Sequence, residues 1–227
     1  MKVKIKDRKQ FSSALIEVQL DLLGQPFPFV AGQFFSLILI NPPFTDERGN
    51  SRKFGFINSP AITDSVSIMT RVGPSAFKKS LLDLPIGAEV EIDGVEGHNH
   101  LPQDVQIQFT WIADAIGIAP FMSIAREIKA KNLQNKVTLI YITKNQEESV
   151  FAQELAEYSK ENQLFEFIPI ISEVNSISSD LIKQIPEAQN SYFVITGEQA
   201  FVIPAFKILR EAQVEAKNIS MEIFTGY

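Results

Sequence analysis

The chain has 227 residues, 45% of them hydrophobic and 21% charged, with a formal net charge of −6. That is enough apolar material for one large or two modest cores, and the acid excess argues against nucleic acid as a partner. There is no cysteine and there are only two histidines, which excludes disulfides, a thiol nucleophile, a cysteine-held iron–sulfur cluster on this chain and a histidine-rich metal site.

The N-terminus, MKVKIKDRKQ, lacks the apolar run of a signal peptide. No stretch reaches the ~20 apolar residues of a membrane helix. The greasiest segment, FFSLILI (34–40), has the length of a buried strand. A cytoplasmic location is the expectation. VKIKDRKQF, SALIEVQL and QFFSLILI read as short strands, punctuated by Gly24, Pro26, Pro28 and Gly32 and followed by the polar loop NPPFTDERGN. SVSIMTRV and AEVEID alternate apolar and polar residues as half-buried strands do. SAFKKSLLDL between them has helical spacing, with Ser75 as N-cap. Short strands at this spacing predict an antiparallel, Greek-key-like β-barrel over residues 1–100.

DGVEGHNHLPQ, rich in Gly, His and Asn, reads as a linker; His98 and His100 could share a strand face, but no further metal ligands accompany them. From Val105 the pattern changes. QIQFTWIA, KVTLIYI, FEFIPII, SYFVIT and ISMEIF are strands, separated by the helical segments PFMSIAREIKA, SVFAQELAEYSK, DLIKQI and AFVIPAFKILREA. Such alternation predicts a doubly wound α/β domain with a parallel sheet over residues 101–227. Its ligand belongs beyond the carboxyl ends of the strands, where the strand order reverses.

Three segments carry candidate chemistry. In RKFGFINSP, Arg52 can grip a phosphate bidentately, and Phe54 lies on the same strand face. The alternative is a plain barrel strand with a solvated arginine. In TRVGPSAFKKSL, Gly73 and Pro74 lead into a helix whose first N–H groups can bind an anion, with Lys78 and Lys79 adding charge. The alternative is a basic surface turn. In WIADAIGIAPF, a strand runs into a loop and then into a helix that opens at Pro120. The loop has one glycine, Gly117, where backbone would approach a phosphate. Ala115 suits it only at negative φ, and the Asp114 carboxylate repels a pyrophosphate by ~1 kcal/mol in water. Lys144 follows the second α/β strand. Asp46, Glu47 and Arg48 read as an ordinary charged loop.

Taken in order, these segments resemble the ferredoxin–NADP reductase superfamily over almost the whole chain. RKFGFINSP is similar to its Arg-x-aromatic-Ser flavin motif, PSAFKKSL to its Gly-x-x-Ser helix, and WIADAIGIAPF to its Gly-x-Gly-x-x-Pro nucleotide loop. SYFVITGEQAF is similar to its strand ending in Cys-Gly-Pro, and EIFTGY to its aromatic C-terminus. The resemblance implies FAD, ahead of FMN, held by Arg52, Phe54, Gly55, Ser59, Ser75, Ala76, Phe77 and Lys78. It implies NADPH or NADH held by Gly117, Ile118, Pro120, Lys144 and Gly197. Gly55, Thr196 and Tyr227 fall at the reacting centre, with the Tyr227 ring stacked on the flavin. Hydride passes from NAD(P)H to flavin, and electrons go on to a separate acceptor such as an Fe–S protein. Four positions depart from the family: Gly55 for Ser or Thr, Lys78 for Ser, Thr196 for Cys and Glu198 for Pro. Gly55, Asp114, Thr196 and Glu198 keep open an alternative, a flavin-binding subunit or sensor with weak or no nicotinamide activity.

Overall fold

The structure, a computed structural model, describes residues 1–172, 177–185 and 188–224. They form two compact units. One is Met1–His100 together with Ala119–Ala130; the other is Leu101–Ile118 together with the described residues from Lys131 onward.

The first unit is built on β1 (Lys2–Gln10), β2 (Leu15–Asp21), β3 (Phe34–Leu39), β4 (Ser51–Gly55), β5 (Ser65–Arg71) and β6 (Glu89–Glu96). They make one antiparallel sheet in the order β4-β3-β6-β1-β2-β5. Period-two alternation turns Val3 and Ile5, Val18 and Leu20, and Phe35 and Leu37 into one apolar core. Just past β4, the Ile57 N–H donates to Ser67 O on β5 at 3.0 Å, which curls the two sheet edges together into a barrel. Phe56 fills the interior, with its ring 3.8 Å from that of Phe29 and 4.6 Å from that of Phe35.

One helix, α1 (Ala76–Asp83), follows β5, and the Ser75 hydroxyl caps it by accepting from the Lys78 N–H. Arg8 on β1 donates to Leu81 O and Leu84 O at the other end, where a cation suits the helix dipole. Strand β6 runs to Glu96, so the segment read as a linker begins inside a strand.

Helix α2 (Ala119–Lys131) lies beyond the boundary expected at residue 100, yet Ala119–Ala130 joins the first unit. Polar contacts hold it there. The Ser123 hydroxyl donates to Asn58 O, Arg126 Nη1 to Ile57 O, and the Ser59 hydroxyl to Glu127 Oε2, each at 2.7 Å.

The second unit has five parallel strands: β7 (Phe109–Asp114), β8 (Val137–Thr143), β9 (Phe165–Ile171), β10 (Tyr192–Gly197) and β11 (Ile219–Ile223). Their order is β11-β10-β7-β8-β9. Helices α3 (Ala152–Glu161), α4 (Ser179–Lys183) and α5 (Gln199–Glu211) connect them. Ile112, Ile140, Phe193 and Ile195 pack against Phe201, Val202, Ala205 and Leu209 of α5, which continues through Pro204. The order reverses between β7 and β10, so the carboxyl ends of those strands form the switch point. No helix among the described residues is long and apolar enough to cross a membrane.

Candidate functional site

In the first unit the chemistry gathers around Arg52, on β4. Its Nη1 donates to three carbonyls of its own approach loop: Arg48 O at 2.8 Å, Gly49 O at 3.1 Å and Ser51 O at 2.7 Å. Its Nη2 is buried without a hydrogen-bond partner and lies 3.7 Å from Asp46 Oδ1. The guanidinium stands 5.2 Å over the Phe77 ring at the start of α1. Burial is the main cause that lowers the Arg52 pKa; the nearby Arg48 charge adds to it and Asp46 opposes it. An orphaned guanidinium nitrogen is a donor aimed at an anion, which fits a phosphate group.

The Ala76 N–H at the first turn of α1 donates to Asp46 Oδ2 at 3.2 Å. A pocket of about 240 Å³ lies beside this cluster, between Pro42, Phe44, Gly49 and Asn50 of the β3–β4 loop and Phe77 of α1. That is below the roughly 300–1,000 Å³ of a whole-ligand pocket, and suits one end of a dinucleotide.

Several expected site residues have other duties. Phe54 shares Arg52's face, but it is 4% exposed, a barrel-core residue whose ring packs 5.9 Å from that of Phe77. Lys78 is buried and folds back over the Gly73 turn, its Nζ 3.4 Å from where a Cβ on Gly73 would stand. The Ser59 hydroxyl donates to Glu127 and accepts the Ala61 N–H, so it is committed within the fold. Gly55 is not an open site lacking its hydroxyl. A Cβ there would stand 2.6 Å from Pro120 Cγ, so the α2 proline occupies the space of any side chain. Asp46 carries the largest surprise: it holds the start of α1 rather than belonging to a merely solvated loop.

The second unit's site is the loop after β7. A short 3₁₀ turn spans Ala115–Ile118 and α2 follows at once, so the helical path begins before Pro120. Ala115 has φ 42°, so the negative φ at which an alanine would suit this loop is not adopted. It sits where L-residues pay roughly 1–2 kcal/mol. Ala115→Gly is therefore expected to raise stability by about 0.5–1 kcal/mol, after the entropy cost of a glycine. An unfolding midpoint that is unchanged or lower would count against strain at this position.

Gly117 is required by packing against β10. A Cβ there would lie 2.6 Å from Thr196 O and 2.9 Å from Gly197 Cα. The Thr196 hydroxyl is fully buried; it accepts from Trp111 Nε1 and donates to Gly117 O, both at 2.7 Å. It is thus a positioning group that ties the loop to β10, with both hydrogen-bonding roles filled inside the protein. Gly197 closes β10 at φ 153°, with Asp114 Cβ 2.7 Å from the place of its missing Cβ. Ile118 is buried and Lys144 is exposed just past β8. Tyr227 lies outside the described residues.

Residues 112–203 match the oxidoreductase NAD-binding domain family. The reductase subunit of an aromatic O-demethylase from Amycolatopsis sp. is 24% identical over 216 residues, covering 89% of this chain and 63% of that one. The chain spans about half the length of the curated relatives it matches. The cytochrome P450 reductase of Amycolatopsis superposes with a TM-score of 0.82 at 22% identity, over 100% of this chain and 70% of that one. Ferredoxin-NADP+ reductase from Plasmodium falciparum does so with a TM-score of 0.79 at 18% identity, over 98% of this chain and 95% of that one. With the barrel, the 3-2-1-4-5 parallel sheet and the loop at its switch point, these likenesses show that the chain has the two-unit fold of the ferredoxin–NADP reductases, with an NAD-binding-domain match over residues 112–203.

Proposed function

We propose that this chain is an FAD-dependent oxidoreductase that takes hydride from NADPH or NADH and passes electrons to a separate acceptor protein. Residues 1–100 are read as the flavin domain and residues 101–227 as the nucleotide domain. The observation that carries the reading is the buried Arg52 Nη2 beside the start of α1, which has no hydrogen-bond partner and only a 3.7 Å ion pair with Asp46. Arg52 and the first turn of α1 would hold the flavin pyrophosphate, with Phe77 and the adjoining pocket taking an apolar ring. Bound FAD would supply what this chain's side chains lack, acceptance of hydride and its release as electrons. The chain's own part is to bind and orient. The carboxyl ends of β7 and β10 offer the nucleotide a cleft at the switch point, and the Thr196–Gly117 bond keeps the loop there rigid. The reductase components and subunits among the relatives support an acceptor on another protein, of which an Fe–S protein is one form.

A flavin-binding subunit or sensor is the second reading. It is favoured by the Thr196 hydroxyl being engaged inside the protein and by a carboxylate, Asp114, at the end of β7. The deciding experiment loads the purified chain with FAD and adds NADH or NADPH without oxygen. The expected result is bleaching of the yellow colour with either nucleotide. A yellow protein that neither nucleotide bleaches supports the second reading, and a protein that takes up no FAD rejects both.

A further inference from the structure

We infer that the Asp46 carboxylate is a built-in stand-in for the flavin phosphate, seated between Arg52 and the start of α1, and that FAD binds by displacing it. The inference rests on the proposed flavin reading and adds a competitor to it. Asp46 Oδ2 accepts the Ala76 N–H at 3.2 Å, while Oδ1 lies 3.7 Å from the orphaned Arg52 Nη2. A cation and a helix N-terminus are the two partners a phosphate seeks, and here one carboxylate spans them.

The Ser75 hydroxyl takes the Lys78 N–H and leaves the Ala76 N–H to Asp46, so a carboxylate that leaves frees one helix-start amide for an incoming anion. The seat is filled imperfectly, too: at 3.7 Å the carboxylate makes no hydrogen bond to Nη2. A pyrophosphate brings more charge and more acceptor oxygens, and can take that nitrogen directly.

The same residue holds its loop shut, by side chain and backbone. Asp46 Oδ1 accepts the Arg48 N–H at 3.0 Å, and Asp46 O accepts the Gly49 N–H at 3.1 Å. Gly49 also lines the pocket against Phe77. Displacing the carboxylate therefore frees the anion seat and releases the Arg48 N–H, one residue from the Gly49 wall of the adjoining pocket. An internal anion that must be expelled weakens binding of an external one, by about three- to tenfold for a partly exposed charge at a helix start.

The test is Asp46→Asn in the full chain, with Asp46→Ser beside it. FAD is titrated into flavin-free protein, and inorganic pyrophosphate alone is tested by thermal shift. The expected result is an FAD dissociation constant about three- to tenfold lower in Asp46→Asn, and a larger pyrophosphate-induced stabilisation than in wild type. If FAD binds the two variants no better than wild type, or more weakly, Asp46 positions the loop for flavin and the inference is overturned. If no protein binds FAD yet pyrophosphate still stabilises the variants more, the stand-in survives and the flavin reading falls. Equal pyrophosphate effects in all three overturn the stand-in. Should both variants fail to fold, hydrogen exchange at the wild-type Arg48 amide decides: faster exchange on adding pyrophosphate supports displacement, and unchanged or slower exchange overturns it.

Discussion

Arg52→Ala is expected to weaken FAD retention by about tenfold to a hundredfold, the ~1–3 kcal/mol scale of a lost charge-assisted contact. The direction follows from Nη2, a buried donor whose hydrogen bond the folded chain leaves unmade and which has only a 3.7 Å ion pair with Asp46. The variant also loses three Nη1 bonds, to Arg48 O and Gly49 O of the β3–β4 loop and to Ser51 O, and the contact over Phe77. Part of its effect is therefore structural, and Arg52→Lys separates the two parts. Lysine keeps the charge but cannot bridge the loop carbonyls and a phosphate with one planar fork. It should fall between wild type and Arg52→Ala in flavin content after gel filtration, with unfolding midpoints compared alongside. Full flavin content in Arg52→Ala would remove Arg52 from the site and the flavin from this seat.

The fold was largely legible because its signals are periodic. Val3 and Ile5, or Phe35 and Leu37, report a half-buried strand by alternation, and the fully buried β8 reports a parallel sheet by its continuous apolar run. What stayed hidden was contact between distant segments. Nothing in PFMSIAREIKA says that Ser123 and Arg126 bond to Asn58 O and Ile57 O, which puts α2 with the barrel. Gly55 looked like a lost hydroxyl because the sequence does not show Pro120 standing on it. Asp46 looked like solvated charge because its partner, the Ala76 N–H, is a backbone group thirty residues away. Motif order pointed to these segments, but the role of each residue depends on what packs against it.

Gly117 shows that distinction most sharply, and Gly117→Ala is expected to cost about 2–3 kcal/mol of stability and with it dinucleotide binding. Its φ is not positive, so backbone freedom is not why a glycine stands there. Space is the reason. The new Cβ would stand 2.6 Å from Thr196 O and 2.8 Å from Thr196 C, backbone atoms of β10. That strand cannot yield, because it is paired on both sides, Thr196 opposite Ala113 of β7 and opposite Glu222 of β11. The loop must move instead. Moving it stretches the 2.7 Å bond from the Thr196 hydroxyl to Gly117 O and disturbs the hydroxyl's bond with Trp111 Nε1, all in a dry interior where a lost partner costs about 1–3 kcal/mol. A loop shifted in this way no longer presents its backbone at the switch point between β7 and β10. The checks are the denaturant midpoint and the NADH-induced thermal shift, measured on the same preparation. A midpoint within about 0.5 kcal/mol of wild type would show that the loop does not pack on β10 as the structure has it. A large loss of stability with an undiminished NADH shift would keep the packing and take the nucleotide away from this loop.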